Sequence, residues 1–138
     1  MKPHIEVAAG IILHQDNVLI AQRGVDSHLS GYWEFPGGKR EPDESFEACL
    51  VREIREELNI EIEVQQFFQR VLYEYAEKTV TLMFYSCRYV GGETEAKECQ
   101  QFRWVPVPSL KQYQFPPANQ PVLEKLLGMA PASAAAQS

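Results

Sequence analysis

Residues 38–60 read GKREPDESFEACLVREIREELNI, and the fold turns on this stretch. Ser45 has the side chain to accept a hydrogen bond from an exposed helix N–H, so it is placed as an N-cap. Ala48, Val51, Ile54 and Leu58 recur at helical spacing and form the expected apolar face. Asn59 tolerates the left-handed conformation nearly as well as glycine and marks the helix end. At about 100° per residue, Arg52, Glu53, Glu56 and Glu57 fall in one arc, expected opposite that apolar face. Glu53 pairs with Glu57 at i,i+4 and with Glu56 at i,i+3. Each like-charged pair costs about 4 kcal/mol at an effective dielectric near 20, and about 1 kcal/mol in open water. Spacing leaves two readings open. One is a solvated charged face with Arg52 and Arg55 as counter-ions. The other is a cleft in which a cation or a raised pKa relieves the repulsion.

Outward from this helix, the chain reads as alternating extended and irregular segments. Residues 6–13 (EVAAGIIL) and 17–22 (NVLIAQ) are two strands, with a turn at Gln15-Asp16-Asn17. Residues 24–31 are polar and read as a loop, and 32–35 as a short strand. Pro36-Gly37-Gly38-Lys39 is expected to be irregular, because proline and two glycines rarely share a regular element. Residues 60–64, 71–75, 79–90 and 101–105 are β-rich. A short helix or loop covers 106–114, and Asn119 stands where it can cap a last helix running to about Leu127. The Ala/Ser-rich end is expected to fray. The reading is one α/β (α+β) domain over residues 1–128, with a disordered tail over 129–138.

The sequence of 138 residues is long enough for a core without disulfide staples. Its three cysteines, Cys49, Cys87 and Cys99, match no zinc spacing and fit free thiols in a reducing cytoplasm. No apolar run is long enough to span a bilayer, and the start carries no signal-peptide pattern. A formal net charge of -6 opposes stable binding to a nucleic-acid backbone but not to a small phosphate ligand, since bound metal inverts the local field.

The helix and its flanks resemble the signature of the Nudix hydrolases, most closely the MutT-type members. That signature runs Gly, five residues, Glu, seven residues, Arg-Glu, an aliphatic, any residue, Glu-Glu, any residue, Gly, an aliphatic. Gly38, Glu44, Arg52, Glu53, Ile54, Glu56, Glu57 and Ile60 match it, and Asn59 stands where the family has glycine. The resemblance implies a mixed β-sheet sandwiched between helices. It implies a Mg²⁺-dependent enzyme, with Mn²⁺ able to substitute, that cuts a nucleoside triphosphate into monophosphate and pyrophosphate. It further implies that Glu53, Glu56, Glu57 and the Gly37 carbonyl bind metal, and that Arg52 and Glu44 support them. Glu98 is implied as a further ligand or general base, with Glu53 as the other candidate base. Arg23 is similar to the family's phosphate-contacting arginine, and Lys39 lies near enough in sequence to reach phosphate.

Resemblance to MutT-type proteins extends over residues 5–127, including Phe35-Pro36-Gly37-Gly38-Lys39 and Phe115-Pro116-Pro117-Ala118-Asn119. Asn119 matches the asparagine that meets 8-oxoguanine. Its carbonyl can accept from the N7–H that oxidation creates, while its amide donates to O6. Phe35 is either an aromatic contact to that base or a core residue. The implied reaction is hydrolysis of 8-oxo-dGTP, which cleans the nucleotide pool and so prevents replication errors. Ala21-Gln22-Arg23, Trp33-Glu34-Phe35 and Glu41-Pro42-Asp43-Glu44-Ser45 are also similar to the CTP and 5-methyl-dCTP pyrophosphohydrolases. There the position of Asn119 tends to be aspartate, which suits the cytosine amine. A non-catalytic nucleotide-binding module and a lesion-reading domain are the remaining alternatives. The implied partner is a small nucleotide, and the protein is expected to be a monomer, with a dimer as the alternative.

Overall fold

Residues 7–13 (VAAGIIL) lack polar/apolar alternation, which is the pattern of a strand covered on both faces. The computed structural model, which describes residues 2–25 and 29–137 with side chains to residue 129, shows that arrangement. Strand β1 (His4–His14) sends Ala8 and Ile12 to one side and Ala9 and Ile11 to the other. Strand β2 (Asn17–Gln22) does the same with Leu19 against Val18 and Ile20. The β1–β2 turn is tight, with Gln15 at φ 57. The chain continues through β3 (Trp33–Glu34), β4 (Gly37–Lys39), α1 (Phe46–Leu58), β5 (Glu61–Glu74), β6 (Thr79–Gly91), β7 (Gln101–Pro106) and α2 (Gln120–Gln137). Short 3-10 turns occupy Val107–Gln112 and Pro117–Asn119.

Among the described residues the strands form one seven-stranded mixed sheet ordered β3-β2-β1-β6-β5. Strand β4 pairs with β1, and β7 with β2. The β1–β6 pairing is parallel and the others are antiparallel. Helix α1 covers the face of Ala8, Ile12 and Leu19 with Cys49, Leu50, Ile54 and Leu58. Helix α2 covers the opposite face with Val122, Leu123 and Leu126. The sheet is therefore sandwiched between helices, as expected. Leu50, Ile54 and Leu58 are fully buried, so truncating any one to alanine costs about 2–5 kcal/mol.

Four expectations change. Gly37–Lys39 is not irregular: it pairs with β1 through Ala9↔Gly37, Ala8↔Gly38 and Val7↔Lys39. The glycines serve close approach, since a Cβ at Gly37 would lie 1.9 Å from the Ala8 carbonyl oxygen. The inward face of α1 is the Leu50-Ile54-Leu58 row with Cys49, while Ala48 is exposed and Val51 half-buried. The two expected strands 60–64 and 71–75 are one strand, β5, whose bulges disguise its alternation. The backbone of α2 is helical to Gln137, past the expected end at Leu127. Of the disordered tail expected over 129–138, Ser138 lies outside the described residues, as do the side chains beyond residue 129. Residues 26–28 of the expected 24–31 loop also lie outside them.

Candidate active site

Helix α1 begins and ends where its sequence sets the caps. Ser45 Oγ accepts from the Ala48 N–H at 3.0 Å, and Asn59 sits at φ 62, ψ 29 with its N–H donating to the Arg55 carbonyl. Glu53 and Glu57 stand in the same i,i+4 row as buried Cys49, beside the Leu50-Ile54-Leu58 row. The acidic arc thus adjoins the apolar face instead of opposing it. One edge of the arc is drawn into the protein and the other faces water.

Arg52 organises the near end of this arc. Its guanidinium holds Glu44 through Nε (3.0 Å) and Nη2 (2.5 Å), and reaches Glu53 Oε2 (2.8 Å) and Glu56 Oε2 (3.3 Å) through Nη1. It also donates to the Lys39 carbonyl at 3.3 Å. The paired Arg52 hydrogen bonds, with the Glu41 N–H, hold the Glu44 carboxyl well down, at about 2. Gly38 lies directly over Glu53: a Cβ there would come within 2.0 Å of Glu53 Oε1. Glu56 is half exposed and turned toward Arg52 and solvent.

Beyond Arg52 a cleft opens between α1, the end of β2, β3 and the loop before β7. Arg23, Glu34, Glu57, Glu98 and Cys99 line it. Burial, then Glu34, Glu53 and Glu98, push the Glu57 carboxyl up to about 8, and a hydrogen bond from the Gly37 N–H opposes this only in part. Burial raises Glu53 as well, against the pull of Arg52. Glu34 is raised by burial despite its ion pair with Arg23 at 2.5 Å. This is the cleft case left open by the spacing: like charges brought together out of water.

A second cleft shares Arg23 and Glu34 with the first and extends to Lys39, Tyr75, Lys78 and Asn119, over apolar walls from Val7, Val80 and Leu82. Asn119 is 9 % exposed and its backbone N–H donates to the Pro116 carbonyl. It ends the 3-10 turn just before α2 and lines this cleft. Of the two readings of Phe35, the structure places the ring in core packing. It is 4 % exposed and packs on Phe84 and Phe115, since Trp33 and Phe35, on either side of Glu34, turn inward while Glu34 lines the cleft. Glu34 is the residue that sequence reasoning missed. Its local pattern, an acid between two aromatics in Trp33-Glu34-Phe35, marks it as turned from the core but does not show what stands around it. Tyr75 and Lys78, at the β5–β6 turn, were also missed, and nothing local in the sequence singles them out.

Among the described residues no three acids, imidazoles or thiols converge as a ready-made cage for a metal ion. The donor chemistry still fits a hard divalent cation: Glu53, Glu57, Glu98 and Glu34 offer only carboxylate oxygen, and their mutual repulsion is what such a cation relieves. The thiols do not compete for it. Cys49, Cys87 and Cys99 are unpaired, and burial pushes Cys49 up to about 11 and Cys87 to about 12.

Comparison with known proteins shows the chain's relatives. Residues 7–125 match the NUDIX domain family. The chain is 37% identical over 123 residues to an Escherichia coli K12 protein named 8-oxo-dGTP diphosphatase, covering 88% of this chain and 95% of that one. It is 38% identical over 125 residues to an E. coli K12 CTP pyrophosphohydrolase, covering 91% and 93%. The solution structure of the E. coli ORF135 protein superposes with a TM-score of 0.83 at 37% identity, covering 95% of this chain and 94% of that one. A signature helix laid against a mixed sheet, its acids turned into a cleft, and a domain match across most of the chain place this protein in the Nudix hydrolase family.

Proposed function

We propose that the protein is a divalent-metal-dependent nucleoside triphosphate pyrophosphohydrolase that converts 8-oxo-dGTP to 8-oxo-dGMP and pyrophosphate. The observation that carries the substrate is Asn119, a nearly buried amide in the wall of a cleft that continues into the acidic one. An amide can accept from N7–H of 8-oxoguanine and donate to O6, whereas ordinary guanine presents a lone pair to the same carbonyl. A site built on such bonds rejects the wrong base by ~10⁴-fold or more.

Mg²⁺, or Mn²⁺ in its place, neutralises phosphate oxygen and orients water when bound. Glu53, Glu56, Glu57, Glu98 and the Gly37 carbonyl would hold it. Arg23 and Lys39 line the second cleft, where they would contact phosphate. Arg52 keeps Glu53 and Glu44 in place and touches no substrate. Water attacks the β-phosphorus, the bond from that phosphorus to the α,β-bridging oxygen breaks, and Glu53 or Glu98 takes the proton. Clearing oxidised nucleotide before replication is the role this reaction would serve. A monomer in the cytoplasm, where its unpaired thiols stay reduced, suits it.

The similarity to a CTP pyrophosphohydrolase supports a second reading, a pyrimidine nucleotide in the same cleft. Incubation with Mg²⁺ and 8-oxo-dGTP, dGTP, CTP or 5-methyl-dCTP, reading pyrophosphate release, separates the two. Faster turnover of CTP or 5-methyl-dCTP than of 8-oxo-dGTP overturns the first. A folded Glu53→Gln protein should lose nearly all turnover. Near-normal activity in it would remove Glu53 from the mechanism; the intact Glu53, Glu56 and Glu57 set speaks against a non-catalytic module.

A further inference from the structure

The loop that carries Glu98 crosses the C-terminal end of α1. The last carbonyls of a helix lack intrahelical partners. Here the Glu95 N–H donates to the Leu58 carbonyl and the Lys97 N–H to the Glu57 carbonyl, each at 3.0 Å. The loop can come this close because Gly92 sits at φ 96, where a Cβ would meet the Asn59 carbonyl oxygen at 2.7 Å. The other end of the loop is tied to β2: the Gln100 N–H donates to the Gln22 carbonyl at 3.1 Å, and its side chain to the Arg23 carbonyl at 2.8 Å.

Asn59 adds two bonds at the near end. Its Nδ2 donates to the Glu93 carbonyl at 3.2 Å and to Glu95 Oε2 at 2.8 Å. Glycine at this position would serve the left-handed helix end at least as well, and without strain. It would supply neither bond. The side chain therefore serves the loop and not the helix.

We propose that Asn59 is a positioning residue, whose amide straps the Glu93–Glu95 segment to the end of α1 and so sets where Glu98 stands beside Glu57. The inference rests on the reading of Glu98 as a metal or base carboxylate given above. Asn59 touches neither metal nor substrate. It acts by restricting the loop, so that Glu98 reaches its place without an ordering cost at the moment of metal binding.

The test uses Asn59→Gly and Asn59→Asp, alone and each combined with Glu98→Gln. Three quantities are read: Mn²⁺ affinity of the nucleotide-free protein, kcat at saturating metal, and amide exchange at residues 95 and 97. Asn59→Gly should keep the melting temperature, speed exchange at both amides and weaken Mn²⁺ binding about fivefold, the size of one ordinary hydrogen bond. Excess metal should restore most of kcat. Asn59→Asp should be worse, since it places a second carboxylate against Glu95. In the Glu98→Gln background, Asn59→Gly should have no further effect on Mn²⁺ affinity. If Glu98→Gln weakens Mn²⁺ binding and Asn59→Gly does not, the strap is wrong while the site reading stands. If Glu98→Gln itself leaves Mn²⁺ binding and turnover unchanged, the site reading of Glu98 fails and takes the strap's purpose with it. An Asn59→Gly effect of equal size in the parent and in the Glu98→Gln background would show a general role in stability and overturn the proposal.

Discussion

Adding one methyl group at Gly38 separates catalytic from structural use of the two signature-leading glycines. A Cβ at Gly38 would lie 2.0 Å from Glu53 Oε1, 2.2 Å from Cδ and 2.7 Å from Cγ. Ordinary van der Waals contact begins at 3.4 Å, so the carboxylate must retreat by more than 1 Å. It can do so, because every atom met belongs to a side chain with rotatable bonds. The retreat also takes Glu53 out of a buried position that disfavours its charge. The fold should therefore stay within about 1 kcal/mol of the parent, with alanine stiffening the unfolded chain by a similar amount. Catalysis should not survive, because a misplacement of about 1 Å costs on the order of 10²-fold. At Gly37 the same methyl meets backbone, 1.9 Å from the Ala8 carbonyl oxygen and 2.7 Å from Ala9 Cα. There the β1–β4 pairing must give way, at a cost of about 3 kcal/mol or more. The assay is paired: pyrophosphate release at saturating nucleotide and Mg²⁺, and calorimetric melting of the same preparations. Gly38→Ala should melt near the parent and lose turnover, whereas Gly37→Ala should melt clearly lower. A folded Gly38→Ala protein with parental kcat refutes the placement of Glu53 in the reaction. A Gly38→Ala protein that melts as early as Gly37→Ala refutes the claim that the Glu53 contact is dispensable to the fold.

Three further outcomes follow from the site. Glu57, pushed up to about 8, holds a proton in the folded state that the unfolded chain releases above its ordinary value of 4.5. On its account stability falls as pH rises through that window and levels off above it. Metal needs the ionised form, so the Mg²⁺-induced rise in melting temperature should be larger at about pH 8.5 than at about pH 5.5, and equal rises at the two pH values would contradict this. Arg52→Lys should lower kcat about tenfold with the fold kept, since an ammonium cannot span Glu44, Glu53 and Glu56 as the guanidinium does; steady-state kinetics showing parental kcat would count against the organising role. Asn119→Asp should shift preference from 8-oxo-dGTP toward cytosine nucleotides, read as the ratio of kcat/KM values, and an unchanged ratio would remove Asn119 from base selection.

What could be read in the sequence was local. Ser45 and Asn59 bound α1 because their side chains and dihedral preferences act within one turn of themselves. Strands β1 and β2 were legible because their apolar runs are continuous and the turn between them is polar. What could not be read depended on partners distant in the chain. The inward row of α1 is set by the sheet face it meets, so Leu50 displaced Val51 although both suit a helical stripe. Gly37–Lys39 looked irregular because its extended state comes from β1, more than twenty residues upstream. The bulges in β5 shift its alternation, and only pairing with β6 makes it one strand. Glu34 was passed over because nothing within its own short strand shows that Arg23, Glu57 and Glu98 stand around it.

The acidic helix posed a choice between a solvated face and a buried site, and that choice has no single answer for the helix. It divides residue by residue. Arg55 pairs with Glu61 in the open, and Glu56 leans toward Arg52 with half its surface in water. These contacts face water and are weakened by screening. One helical row inward, Glu53 and Glu57 line up behind Cys49; Glu57 feels Glu34 and Glu98 across the cleft, and Glu53 feels Glu98. There the counter-charges are already engaged: Arg23 by Glu34, and Arg52 by Glu44, Glu53 and Glu56 together. The protein alone leaves negative charge in that row under-compensated, and the upward shifts of Glu57, Glu53 and Glu34 register it. A divalent cation is the chemistry that relieves such an excess without moving the fold.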